Sequence, residues 1–333
     1  MTGASSGIGR AIALELSRQG YSLVLHGRRR DALDAVAITI RTSAAVDTKN
    51  VACDLTAAKC VDRLDRETRA LPVEVLVANA GFAHVGAAVL TPEKSAAEML
   101  AVKAGSPARL ARVFGRRFVA SRTRGAILFT SSLTALAPLP GAALYGALNA
   151  YLLSYAPALR SELQSAGITV MCLLPGVTDT GFAAVANMSA ALAFSAPFAR
   201  TLGLVMSADA VAADAVDALL GRGRSPVAAA LLGVRAPSTI IPGLLNRAYA
   251  RAVSLLPRDL GAEIAALFFD PRRSPLRSAR ALLRAAPTLA VGGASVLVCA
   301  AFEIVVGDTW LTSSIALALL LAAIRANRRY LRF

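Results

Sequence analysis

Three glycines fall within the first nine residues, in the run Thr2-Gly3-Ala4-Ser5-Ser6-Gly7-Ile8-Gly9, and an apolar-periodic stretch reaching Gln19 follows at once. No other feature restricts the chain as much. Glycine lets a strand turn sharply into a helix, and it lets backbone amides approach an anion at the helix N-terminus, where unpaired N–H groups favour negative charge. Downstream, helix and strand patterns alternate. Strands are expected at Tyr21–His26, 50–53, Val73–Val77, Ala126–Thr130 and Ile168–Leu174, with helices at 31–42, 57–70, a long one after Pro92, and Ala142–Ser165. Such alternation builds βαβ units, and right-handed crossovers turn these into an α/β fold, a doubly wound parallel sheet with helices on both faces. Thr239-Ile240-Ile241 reads as a last strand, and Ser225–Pro237 as an insertion with no place in the sheet.

Further motifs occur in a fixed order: Asn79-Ala80-Gly81, then Ser132 thirteen residues before Tyr145, then Pro175-Gly176. With the glycine run, they make residues 1–270 resemble the short-chain dehydrogenase/reductase family, Rossmann-like oxidoreductases dependent on NAD(P). The resemblance implies that Gly3, Ser5, Gly7, Ile8 and Gly9 surround a pyrophosphate and that Asp54 meets the adenine amino group. It implies further that Asn79 and Gly81 wall the adenosine side, that Pro175 and Gly176 belong to the cofactor site, and that Thr180 holds the nicotinamide carboxamide. The second strand ends at His26-Gly27 and runs into Arg28-Arg29-Arg30. An NAD enzyme places an acidic residue there for the ribose 2′-hydroxyl. Arginine suits a 2′-phosphate through charge-assisted, bidentate hydrogen bonds. The expected cofactor is therefore NADP(H), held by Arg28 and Arg29, while one arginine of the three can equally be a solvated helix start.

Family members carry an apolar strand before the glycine turn, whereas here only Met1 precedes Thr2. Two explanations stand: a start codon assigned internally, or a gene fragment. In either case the sheet is expected to lack its first, central strand.

The family's chemistry uses Asn, Ser, Tyr and Lys. Ser132 and Tyr145 occupy their positions, but the lysine position holds Asn149 and the asparagine position falls on Lys103. Relative to the family's pattern, two corners are exchanged. In one reading Lys103 reaches from the neighbouring helix toward Tyr145 and Asn149 bonds the ribose. It draws weight from the chain's having only four lysines among 36 basic residues. In the other, both losses are independent, Gly105 and Pro107 disturb the helix that aims Lys103, and the protein is a catalytically impaired nucleotide-binding or scaffold protein at a membrane.

Composition suggests the membrane. The chain is 56% hydrophobic with a mean hydropathy of +0.56, and its net charge is +15. From Arg222 onward there are 15 Arg and 5 acidic residues, 15 − 5 = +10. A basic linker, 271–284, leads into the apolar runs 285–306 and 309–324, separated by Gly307-Asp308 and closed by further arginines. Residues 285–333 thus read as a helical hairpin, spanning or re-entrant, that anchors a catalytic domain facing the cytoplasm. A basic end beside apolar runs fits an anionic lipid surface, and no interleaved aromatic–basic motif argues for nucleic acid. The resemblance implies that the stretch with Phe182, Met188, Leu192, Phe194, Phe198 and Leu202 covers a small apolar substrate; the alternative is ordinary core helix. Cys53, Cys60, Cys172 and Cys299 show neither metal-ligand spacing nor a disulfide framework; with His26 and His84 the only histidines, no metal site is expected. Family members pair through helices corresponding to 92–119 and 142–165, which implies a homo-oligomer.

Overall fold

The protein's structure, a computed structural model, describes residues 1–182, 205–221 and 238–262. The glycine run opens α1 (Gly7–Arg18), followed by β1 (Leu23–Gly27), α2 (Arg30–Ser43), β2 (Thr48–Ala52), α3 (Ala58–Thr68) and β3 (Val75–Ala78). Next come α4 (Glu93–Leu100), α5 (Ser106–Ala120), β4 (Ala126–Thr130), α6 (Ala143–Leu163), β5 (Thr169–Leu173) and the short β6 (Val177–Asp179). Beyond residue 204 lie β7 (Val205–Ser207), α7 (Ala208–Leu219), β8 (Thr239–Ile240) and α8 (Leu244–Ser254).

β1 pairs with β2, and β3-β4-β5-β8 form a second set, all parallel. Among the described residues no strand precedes α1, as the expected lack of a central strand implies, and isolated bridges join the two sets. Thr2 bridges to both His26 and Ala78. Its N–H donates to the Val77 carbonyl at 2.9 Å, and the Met1 carbonyl accepts from the His26 N–H at 2.9 Å. Two residues thus bond the flanking strands where a central strand would lie.

Apolar packing covers both faces, as the continuous apolar strands require. On one face Ile12, Leu16, Leu33, Ile40 and Val211 from α1, α2 and α7 meet Leu25 and Leu128. On the other, Leu64, Leu110, Phe114, Phe118 and Leu152 from α3, α5 and α6 meet Ile127 and Phe129. Each such fully buried side chain contributes roughly 1.5–3 kcal/mol.

The long helix expected after Pro92 is not continuous. Between α4 and α5, residues Ala101–Gly105 form a π turn in which the Ser106 N–H donates to the Ala101 carbonyl, five residues back. Pro107 gives the reason: it has no N–H, so the α register cannot run through it and the helix takes up one extra residue. Lys103 lies at the centre of that turn.

The cysteines also differ from expectation. Cys53 and Cys60 form a disulfide, with Cα atoms 5.6 Å apart across a separation of 7 residues. Sequence spacing missed it because the loop from β2 into α3 folds back on itself. His26 lies beneath, and its ring nitrogen and the two sulfurs come within 4.8 Å of one another. Burial pushes the His26 imidazole down to about 4.

Among the described residues no helix is long and apolar enough to cross a membrane. The hairpin 285–333, the basic linker 271–284, the domain boundary at 270, the 225–237 insertion and the apolar residues from Met188 to Leu202 lie outside the described residues.

Candidate active site

Parallel strands of a doubly wound sheet converge on a crevice at their C-terminal ends, and nearly every candidate residue lies there. At the first turn Gly3 and Gly7 have positive φ, 68° and 53°. Gly9 is tighter still, since a side chain on it would collide with the Gly3 carbonyl and the Asn79 side chain. Asn79 has a role the sequence did not reveal. Its Nδ2 donates to the carbonyls of Thr2 and Gly3 at 3.3 and 3.4 Å, bracing the turn from beneath. α1 begins with no side-chain cap and no acid in its first turn, which leaves its amides available to an anion. Ser5 abuts Gly27 and Thr180 abuts Gly7, so both border this opening.

Beyond β1 the three arginines separate into two kinds. Arg30 begins α2 and pairs with Asp34 at 3.1 Å. Arg28 and Arg29 are exposed, and their guanidinium groups make no hydrogen bond or ion pair with the other described residues. Asp54 follows β2, exposed, its carboxylate accepting from the Thr56 N–H at 2.9 Å. Glycines that admit a backbone approach, an uncapped helix start and two unpartnered guanidinium groups together fit a nucleotide bearing an extra phosphate.

Ser132 stands two residues beyond the end of β4 at Thr130, and its Oγ accepts from the Thr134 N–H at 3.2 Å. Tyr145 lies in the first turns of α6 with Asn149 one turn on, on the same face. Burial raises the Tyr145 hydroxyl above its ordinary value of 10.0, while hydrogen bonding by Asn149 and Ser132 opposes the rise. The phenol is therefore a proton donor at neutral pH. Pro175 offers its carbonyl to the Leu133 N–H at 3.0 Å, fixing the turn after Ser132, and Gly176 packs against Asn246.

Both exchanged corners are buried next to Tyr145. Lys103 points inward, 4% exposed, with Nζ 5.4 Å from the centre of the Tyr145 ring and donating to the Thr130 carbonyl at 3.3 Å. Gly81 makes this possible: a β-carbon there would stand 2.8 Å from the Lys103 Cδ. No hydrogen bond joins Lys103 to the Tyr145 hydroxyl among the described contacts. Asn149 is fully buried and turned inward; its Nδ2 donates to Thr134 Oγ1 at 3.1 Å and to the Tyr145 carbonyl at 3.0 Å. Its amide hydrogens are therefore committed inside the protein and not free for ribose. Asn149 Oδ1 and Thr130 Oγ1 are buried without partners.

Burial pushes the Lys103 ammonium from 10.5 down to about 8. At about 1.4 kcal/mol per pH unit between the two values, keeping it charged costs on the order of 3 kcal/mol at neutral pH. The folded pKa lies below the unfolded one, so the full cost applies below pH 8 and fades as pH rises toward 10.5. Lys103→Met is accordingly expected to raise the unfolding free energy at pH 7 by up to about 3 kcal/mol. Urea denaturation at pH 7 checks this, and a clear loss of stability would contradict it.

Around Tyr145 the walls are apolar. Ala83, Leu139 and Ala142 are buried against it, with Val85 and Phe182 alongside, and the Phe182 ring lies 5.8 Å from the Tyr145 ring. Of these only Phe182 was legible beforehand. Ala83, Val85 and Leu139 lie in loops whose residues gave no periodic signal, and Ala142 stood only as the start of an expected helix.

Known proteins are similar to this chain in sequence and fold. The chain is 30% identical over 189 residues to the very-long-chain 3-oxoacyl-CoA reductase of Bos taurus, covering 56% of this chain and 60% of that protein. It is 32% identical over 193 residues to the Mycobacterium tuberculosis protein named "Probable oxidoreductase EphD", covering 57% of this chain but 32% of that one. The chain thus spans less than two thirds of the length of each of these relatives. Among solved structures, a short-chain dehydrogenase from Sphingobium yanoikuyae in complex with NADPH superposes with a TM-score of 0.61 at 29% identity, over 72% of this chain and 85% of that one. The family profile described as short chain dehydrogenase matches residues 1–190, more than half of the 333, and the chain belongs to the short-chain dehydrogenase family.

Proposed function

We propose that the protein is an NADP(H)-dependent oxidoreductase that interconverts a carbonyl and a hydroxyl on an apolar, acyl-type substrate, with Lys103 supplying the positive charge that the Asn149 position lacks. The observation that carries this reading is the inward course of Lys103 at the π turn, which brings a buried ammonium to the face of Tyr145. NADPH, when bound, supplies the hydride. In the reductive direction Tyr145 donates its proton to the carbonyl oxygen, and Ser132 polarises that oxygen by a hydrogen bond. Lys103 lowers the cost of the phenolate that remains, acting through the ring face and not through a direct bond to the hydroxyl. Asn149 is a positioning residue: it ties the Tyr145 turn of α6 to Thr134.

Two observations support the substrate class. The walls beside Tyr145 are apolar, and the Bos taurus relative is named for a 3-oxoacyl thioester. A basic tail with two apolar runs supports attachment to a membrane with the catalytic domain on the cytoplasmic side. Exposed Leu100, Val119 and Tyr151 on α4, α5 and α6 support pairing with a second copy through those helices. The alternative, an impaired nucleotide-binding scaffold, draws on Asn149, whose amide hydrogens are spent internally. It is disfavoured because Lys103 is buried beside Tyr145 and does not face solvent.

The test is NADPH oxidation by the purified full chain with 3-oxoacyl thioesters of increasing length. Turnover that rises with chain length is expected. Nucleotide binding without turnover on any ketone would favour the scaffold. For the membrane, deleting residues 286–333 is expected to move the protein from the membrane fraction to the soluble fraction, because the apolar insertion energy goes with it. Release of the full-length protein by high salt alone would assign attachment to the arginines instead.

A further inference from the structure

The loop closed by Cys53 and Cys60 touches three parts of the site at once. The Cys53 N–H donates to the Gly27 carbonyl at 3.1 Å, fixing the backbone one residue before Arg28. Asp54 comes next, held by its bond from the Thr56 N–H. On the far side the Leu55 carbonyl accepts from Ser106 Oγ at 2.9 Å, and Ser106 opens α5 directly after the turn that carries Lys103. His26 lies under the loop, with Nε2 3.1 Å from the Cys53 carbonyl and 3.5 Å from Cys60 Sγ.

We propose that Cys53 and Cys60 are a reversible dithiol–disulfide site, and that their oxidation state sets how tightly the protein holds the adenosine end of its nucleotide. The proposal rests on the nucleotide reading given above. Reduction needs an external dithiol. Its thiolate attacks Cys53 Sγ, because Cys53 is partly exposed whereas Cys60 is 2% exposed. The S–S bond breaks, a mixed disulfide forms on Cys53, and the Cys60 sulfur departs as a thiolate beside the His26 Nε2–H, which can hydrogen-bond it. The second thiol of the reductant then displaces Cys53. The products are two protein thiols and one oxidised dithiol, and both protons come from the reductant. In the reverse direction a two-electron oxidant such as diamide takes up the two hydrogens.

The closed disulfide holds Asp54 and the Gly27–Arg28 backbone in place before nucleotide arrives. Opening it gives the loop freedom that binding must then remove, so affinity falls about threefold to tenfold.

The experiment uses the full chain treated either with dithiothreitol or with diamide, each then freed of reagent. NADPH affinity is read by titration, and thiols are counted after denaturation. The oxidised form is expected to show two fewer thiols per chain and to bind NADPH three- to tenfold more tightly. Cys53→Ser is expected to remove that difference, and Cys60→Ser to do the same, so the test does not hang on one variant folding. Equal affinity in two forms whose thiol counts differ would overturn the clasp while leaving the nucleotide reading intact. An unchanged thiol count would overturn it as well. Absence of NADPH binding by either form would overturn both readings, and the thiol count would still report the disulfide.

Discussion

Lys103→Ala is expected to lower the rate of NADPH-dependent reduction by about 10²- to 10⁴-fold, as far as Tyr145→Phe does, because each removes a working part of one proton-donating unit. The argument turns on burial. A lysine kept almost wholly out of water at a cost of about 3 kcal/mol is not explained by packing alone, and its one described hydrogen bond, to the Thr130 carbonyl, uses only one of three donors. Losses of equal size for the two variants would mark them as one unit, since members of a catalytic unit are not additive. Asn149→Lys in the Lys103→Ala background is expected to recover part of the rate by returning the charge to α6. A Lys103→Ala protein with unchanged turnover would remove lysine from the mechanism altogether.

The second large effect concerns cofactor choice. Arg28→Asp, or Arg29→Asp, is expected to weaken NADPH binding about ten- to a hundredfold and NADH binding far less. A hydrogen bond to a charged group contributes roughly 1.5–3 kcal/mol, and neither guanidinium has another partner among the described residues. Arg30→Asp serves as the contrast. Arg30 is already paired with Asp34 on an exposed helix start, so its loss is expected to change the NADPH to NADH preference little. Titration of both nucleotides with the three variants checks this, and equal affinity of the unmutated protein for NADPH and NADH would contradict it.

Much of the fold was legible because its strands and helices announce themselves by period. β4 was expected and found at Ala126–Thr130, and α6 differs from 142–165 by a residue or two at each end. What could not be read were the features that depend on a single missing donor or on a fold-back. Pro107 was visible as a disturbance, but not that it would be absorbed as a π turn aiming Lys103 inward. The Cys53–Cys60 closure depends on the loop after β2 reversing, which no periodicity encodes. The central strand was expected to be missing and none precedes α1; that Met1 and Thr2 still bond both neighbours rests on backbone groups, which carry no side-chain signal. At the site, Lys103 lies over the Tyr145 ring, an arrangement that the sequence left open between two readings. Asn149 does not reach outward, because Thr134 and the Tyr145 carbonyl take up its amide hydrogens.

The pH dependence of kcat/KM for reduction, measured for the unmutated protein beside Lys103→Ala, tests the role of Lys103 most directly. That ratio reports ionisations of the free enzyme. Lys103 is charged below about 8 and neutral above it, whereas the Tyr145 hydroxyl stays protonated past 10.0 and His26 titrates near 4. The account predicts a plateau below pH 8, a fall as pH rises through that value, and loss of this limb in Lys103→Ala. A profile flat through pH 8, or a limb that persists unchanged in Lys103→Ala, would contradict it.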